Sequence, residues 1–208
     1  MAEYRRPAPF SPQQLDARIG GRDPAETSRI AHETAALVLA RAREGGDSEL
    51  VDRLVAHTDL HGIDTIAELW AHSAAASLPG ALWRIYLLRL LIRRDPEGVS
   101  YLFRRGVDVS TTIDALVAGA EAPTGPEEIM TLADRILRGV FEGDFAVALE
   151  RAAAFCRTAS AGCTSLADDL ESTEPARSTE LTNRGLRYSQ LAAELATCAR
   201  LWRSDSLD

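Results

Sequence analysis

Residues 82–94, LWRIYLLRLLIRR, carry nine large apolar side chains in fewer than four helical turns, and a helix cannot gather them on one face. At about 100° per residue, Leu82, Trp83, Ile85, Tyr86, Leu87, Leu88, Leu90, Leu91 and Ile92 spread round the whole circumference. The arginines do not share a side either. With Arg84 as origin, Arg89, Arg93 and Arg94 fall near 140°, 180° and 280° at that pitch. A helix that lies on a membrane or grips phosphates needs its charges on one side. A helix that is apolar all round is packed on several sides. Each large side chain withdrawn from water contributes about 1.5–3 kcal/mol. The segment is therefore expected to be the central core helix, its arginines escaping at the margins. Arg89, in mid-helix, is expected to snorkel or to pair with a buried carboxylate.

The rest of the chain supplies helices to surround it. Ser11-Pro12, Asp23-Pro24, Asp95-Pro96 and Gly125-Pro126 mark helix starts, because the N–H that proline lacks has no helical partner in the first turn. Thr65-Ile66-Ala67-Glu68 adds a capping box. Ile129, Leu132, Ala133, Ile136, Leu137 and Val140 form one stripe. Phe145, Ala148, Leu149, Ala152, Phe155, Cys156 and Ala159 form the next. Leu181, Tyr188, Leu195 and Trp202 recur at seven-residue intervals in the last helix, flanked by Leu191 and Cys198. Near the start, Ile30, Ala31, Thr34, Leu37, Val38 and Arg41 read as a further apolar face. No segment sustains the alternation of a strand.

The expected fold is all-α: a helical bundle or a short HEAT-like array of helical hairpins, with a C-terminal amphipathic helix. Residues 1–22 read as an N-terminal extension with a short helix and 23–160 as a compact helical domain. Residues 161–179, polar and acidic, read as a linker or a poorly packed helical extension, and 180–208 as the C-terminal helix. Thr65, Ile66, Leu69, Ala71 and Pro79 recur 47 positions later as Thr112, Ile113, Leu116, Ala118 and Pro126. In this spacing the chain resembles HEAT-like helical-hairpin proteins over residues 62–145. The resemblance is architectural and implies no functional residues.

Composition narrows the function. The chain has 208 residues and a formal charge of −8, and all 23 basic residues are arginine. Lysine is absent and alanine abundant, the bias of a GC-rich bacterial genome, so the arginines partly reflect codon supply. Net negative charge repels nucleic acid and anionic membranes on average. Residues 80–108 are a local exception, with six arginines against three acidic residues. The opening MAEYRRPAPFSPQQ has no apolar run behind its arginines, and no stretch reaches the roughly 20 apolar residues of a membrane span. Three cysteines, Cys156, Cys163 and Cys198, without a CxxC pair, fit free thiols in a reducing cytoplasm.

Motifs for phosphate loops, dinucleotide binding and serine hydrolases are missing. Trp70 and Trp83 are expected to pack on one another, and Cys156 and Cys163 to serve as core residues rather than nucleophiles. The functional expectation is a non-catalytic, cofactor-free protein-interaction module of the cytoplasm. Its candidate surfaces are the basic hairpin of Arg93, Arg94, Arg104 and Arg105 and the stripe Leu181, Tyr188, Leu195 and Trp202. That stripe either packs on its own body or receives a protein partner, including a second copy in a homodimer. Two alternatives come from other classes. His57 and His61, four residues apart, face one side of a continuous helix and with a nearby carboxylate would suit a small metal-dependent enzyme; placed just before Gly62, they also suit the dipole of a helix end. The hairpin from Arg93 to Arg105 would suit a nucleic-acid-associated protein, although no recognition motif supports it.

Overall fold

A computed structural model describes residues 23–44, 66–121 and 124–208, with side chains at 23–43, 69–121 and 124–208. Every regular element among them is a helix, and there are eight: α1 Pro24–Glu44, α2 Ile66–Ala71, α3 Leu78–Arg94, α4 Pro96–Val109, α5 Asp114–Ala118, α6 Pro126–Glu142, α7 Phe145–Leu170 and α8 Pro175–Arg203. The expected N-terminal extension 1–22, with its Ser11-Pro12 start, and the Thr65 cap lie outside the described residues.

The other helix starts form as their chemistry requires. The Asp23 carboxylate accepts from Ala25 N at 2.9 Å ahead of Pro24. Ser77 Oγ accepts from Gly80 N at 3.2 Å. Asp95 ends α3 and starts α4, its carboxylate accepting from Gly98 N at 2.9 Å, so one residue makes the whole connection. Glu128 Oε2 reaches back to Gly125 N at 2.9 Å at the start of α6, and Asp144 caps α7 through Ala146 N and Val147 N.

The centre of the bundle is α7, which packs against α3, α4, α5, α6 and α8. Its buried positions run almost all round it, and most are small: Ala146, Ala148, Ala152, Ala153, Ala154, Ala159, Gly162 and Ala167. The helix that holds 82–94, α3, packs against α1, α2, α4, α6, α7 and α8, so it is covered on several sides as expected and shares the centre with α7. In α3, Leu82, Ile85, Tyr86, Leu88, Arg89 and Ile92 are buried, whereas Leu90 and Leu91 are 53% and 39% exposed. One helix that touches five others describes a bundle, because a solenoid repeat meets only its neighbours. The 47-residue spacing is nonetheless visible in the elements. A six-residue helix precedes the 17-residue α3, and a five-residue helix precedes the 17-residue α6.

Residues 161–179 are mostly helical extension rather than linker, and they are packed rather than loose. Through 170 they continue α7, with Gly162, Cys163 and Ala167 buried, and α8 begins at Pro175 after a short turn. The C-terminal helix therefore starts five residues earlier than 180 and folds back along α7. Its stripe is occupied there: Leu181, Tyr188 and Leu195 are buried, and Trp202 meets the Phe145 ring edge-on, centroids 4.7 Å apart. Arg43, at the end of α1, caps the same indole from 5.4 Å. In α1 the buried face is Ala31, Ala35, Leu39 and Ala42, and Leu37 of the expected stripe is 68% exposed.

Backbones touch where α4 crosses α7. A Cβ added to Gly106 would fall into the Thr158 carbonyl, and one added to Gly162 would fall into the Leu102 carbonyl. Phe103 and Phe155 stack beside the crossing, centroids 5.0 Å apart. Gly162→Ala is therefore expected to destabilise the protein by about 2–3 kcal/mol in urea unfolding, since overpacking a tight contact outweighs the helix propensity gained. Gly139→Ala, whose Cβ meets only Ala148 Cβ at 3.4 Å, is expected to cost nothing or to stabilise by up to about 1 kcal/mol.

Candidate functional site

Large side chains that α3 does not bury have to face something. Trp83, Leu87 and Leu91 follow one another at four-residue intervals, a row along one side of the helix. That row forms one wall of a groove of about 650 Å³ between α3 and α8. Tyr188 and Leu191 supply the apolar part of the facing wall. The two helices run antiparallel, because Arg84 near the start of α3 pairs with Glu194, and Asp95 at its end meets Arg184 at 3.6 Å. About ten residues separate these ends, which at 1.5 Å per residue makes a groove of roughly 15 Å, three helical turns.

The groove walls are held apart at fixed points. Arg84 Nε donates to Glu194 Oε2 at 2.5 Å, with the two side chains only 14% and 23% exposed. Burial pushes the Glu194 carboxyl up, and hydrogen bonds from Arg84 and Gln190 outweigh it, leaving the group below its ordinary range. The pair is thus ionised and occupied with itself. Beyond it, the Cys198 thiol donates to Ala75 O at 3.2 Å, and Asp208 O accepts from Leu78 N at 2.6 Å. The end of α8 and the residues after it therefore tie down the start of α3.

The other end carries an excess of positive charge. Arg94, Arg184 and Arg187 stand there with a single carboxylate, Asp95, which is already used to cap α4. Arg187 Nε donates to the carbonyl of Asn183, and the Arg184 guanidinium lies over the Tyr188 ring at 5.9 Å. Among the described residues neither Arg94 nor Arg187 forms an ion pair. Burial pushes the Tyr188 phenol up, with Arg184 opposing.

The basic hairpin expected from sequence does not converge. Arg93 donates to both carboxylate oxygens of Asp134 on α6, at 3.3 and 3.0 Å, and Arg89 Nε donates to the same carboxylate at 2.7 Å. Arg89 is 95% withdrawn from solvent and pairs with a carboxylate as expected, although Asp134 is itself 28% exposed. Arg105 turns to α7, donating to Ser165 Oγ at 3.0 Å and to Asp169 at 2.6 Å. Arg104 is exposed, and of the four only Arg94 lines the groove. The stripe of α8 serves the protein's own packing throughout, and of its four residues Tyr188 also borders the groove.

Trp70 packs against Tyr86, centroids 6.2 Å apart, and its indole donates to Thr34 Oγ1 at 3.2 Å, so the expected Trp70–Trp83 contact gives way to a groove-facing Trp83. Cys156 and Cys163 are fully buried, and burial pushes both thiols up, Cys163 to about 11, as suits core residues. His57 and His61 lie outside the described residues, and among those described no three histidine, cysteine or carboxylate side chains form a metal-sized cluster. No helix among them is long and apolar enough to cross a membrane. Sequence reasoning missed Leu87, Leu91, Arg184, Arg187 and Glu194 as site residues. The signal for the first two was present, because a helix apolar all round has more faces than its neighbours need cover.

Comparison with protein-family models, with curated proteins and with solved structures returns no match. The site is therefore read from its own geometry. Asp134 is the element of that geometry that orients the last two turns of α3. Asp134→Ala, which strips the shared carboxylate from one buried and one half-exposed guanidinium, is expected to cost about 2–3 kcal/mol in urea unfolding, below the full cost of breaking a wholly buried pair because Asp134 itself is part-exposed.

Proposed function

We propose that this protein is a non-catalytic helical interaction module of the cytoplasm, and that it docks a protein partner in the groove between α3 and α8. The observation that carries this reading is the row Trp83, Leu87 and Leu91, which lines the groove and is left incompletely covered by the protein's own core. Aromatic and aliphatic anchors in a preformed recess, with charged groups around them, are the usual source of binding energy at protein interfaces. The walls need no rearrangement to receive a partner, since the Arg84–Glu194 pair and the Cys198–Ala75 contact already fix them. Internal pairing of Arg93 and Arg105 removes half of the basic hairpin from the phosphate contacts that a nucleic-acid reading would need.

The test is positional. A photoreactive phenylalanine analogue in place of Leu87, in the full chain and in its own cells, is expected to give one discrete protein adduct. The same group in place of Leu186, 64% exposed on α8 but outside the groove, is expected to give none of that species. Equal labelling from both positions, adducts with nucleic acid, or no adduct from Leu87 would overturn the proposal.

A further inference from the structure

We infer that the partner in the groove is an amphipathic helix with acidic residues at one end of its apolar stripe. The inference rests on the groove being a docking site and adds the chemistry of what docks. Shape comes first. The groove is roughly 15 Å long, the length of three helical turns, and its α3 wall presents side chains at four-residue spacing. Those are the features that receive the i, i+4 row of another helix. The apolar surface also continues past the rim onto Leu90, which is 53% exposed and lies two turns beyond Trp83 on nearly the same side of α3. A small apolar ligand confined to the recess would leave Leu90 in water, whereas a helix about 10 Å across lying in the groove covers it.

Charge then selects the sign of the partner. Along the groove four arginines, Arg84, Arg94, Arg184 and Arg187, face two carboxylates, Glu194 and Asp95. Arg84 and Glu194 neutralise one another at one end. At the other end Asp95 is spent on the α4 cap and on a long 3.6 Å approach to Arg184, which leaves Arg94 and Arg187 with no carboxylate of their own among the described residues. The positive potential is therefore confined to one end, on a chain whose formal charge is −8. That contrast favours an acidic segment at this spot over the average of the surface. A second copy of this chain carries the same net negative charge, which opposes self-association on average.

The probe is a synthetic helical peptide of leucine and glutamate, with leucines at i, i+4 and i+8 and glutamates clustered at one end, compared with the same peptide carrying lysine for glutamate. Binding to the full chain is followed by fluorescence anisotropy at low and high salt. The glutamate peptide is expected to bind, more weakly at high salt, and the lysine peptide to bind at least about ten-fold less well, the factor that corresponds to 1.4 kcal/mol. The double charge reversal Arg94→Glu with Arg187→Glu is expected to invert that order, while Arg104→Glu, outside the groove, leaves it unchanged; circular dichroism checks that each variant is folded. Equal binding of the two peptides, no binding of either, an order unchanged by the double reversal, or a dimer of the full chain that Leu87→Glu dissociates would overturn the inference. The cross-link from Leu87 reports docking whatever the charge of the partner. A protein adduct together with failure of the glutamate peptide would reject the acidic chemistry alone, and loss of the adduct would reject the docking site itself.

Discussion

The fold depends on how closely α4 and α7 approach. Gly106 and Gly162 lie opposite each other's backbones, and there is no room for a methyl group at either. The crossing is one part of a broader constraint, because most buried positions of α7 are alanine or glycine. Small side chains let five helices come near one axis, and the larger groups, Phe103, Phe155 and Phe145, fill the spaces left between them. With α7 at the axis, α8 folds back along it, and Gly185 sets their separation, its own added Cβ lying 3.2 Å from Cys163 Cβ. The position of α8 in turn decides which side of α3 is covered. The groove follows from packing the small-residue helix correctly.

This also explains what the sequence disclosed and what it concealed. The stripes of α6 and α7 were legible, because large and small apolar residues together kept a helical period and all of them are buried. The starts at Asp23, Asp95 and Gly125 were legible because proline and a capping oxygen state their role locally. The share of α7 in the centre was underweighted because bulk draws attention in a sequence, while a central helix can be made largely from alanine. Residues 161–170 looked like a linker for the same reason: their buried face is Gly162, Cys163 and Ala167, too small to register as a stripe. Arg89 was legible as a problem, a mid-helix cation among aliphatic side chains, but its solution, Asp134, lies 45 residues away and no local rule reveals it.

The site shows the same division. Arg94 and Tyr188 could be chosen in advance because one belongs to a cluster of arginines and the other to a heptad. The row Trp83, Leu87 and Leu91 was assigned to the core, since nothing in its own spacing distinguishes a face covered by the protein from one left for a partner. Only the antiparallel seating of α8, fixed by Arg84–Glu194 and Arg184–Asp95, separates the two. An acidic protein with one basic, apolar recess results, and the local sign of the charge is opposite to that of the whole.

The central claim is that α3 is enclosed on one side and open on the other, and tryptophan reports it directly. Two variants, each retaining one of Trp70 and Trp83 with the remaining tryptophans replaced by phenylalanine, can be compared by collisional quenching with a neutral quencher. Trp70, 2% exposed beneath α1, is expected to be shielded, and Trp83, on the groove wall, to be quenched several-fold more readily. Equal shielding of the two indoles in the folded protein would mean that the groove is closed, and the account of α3 would be wrong.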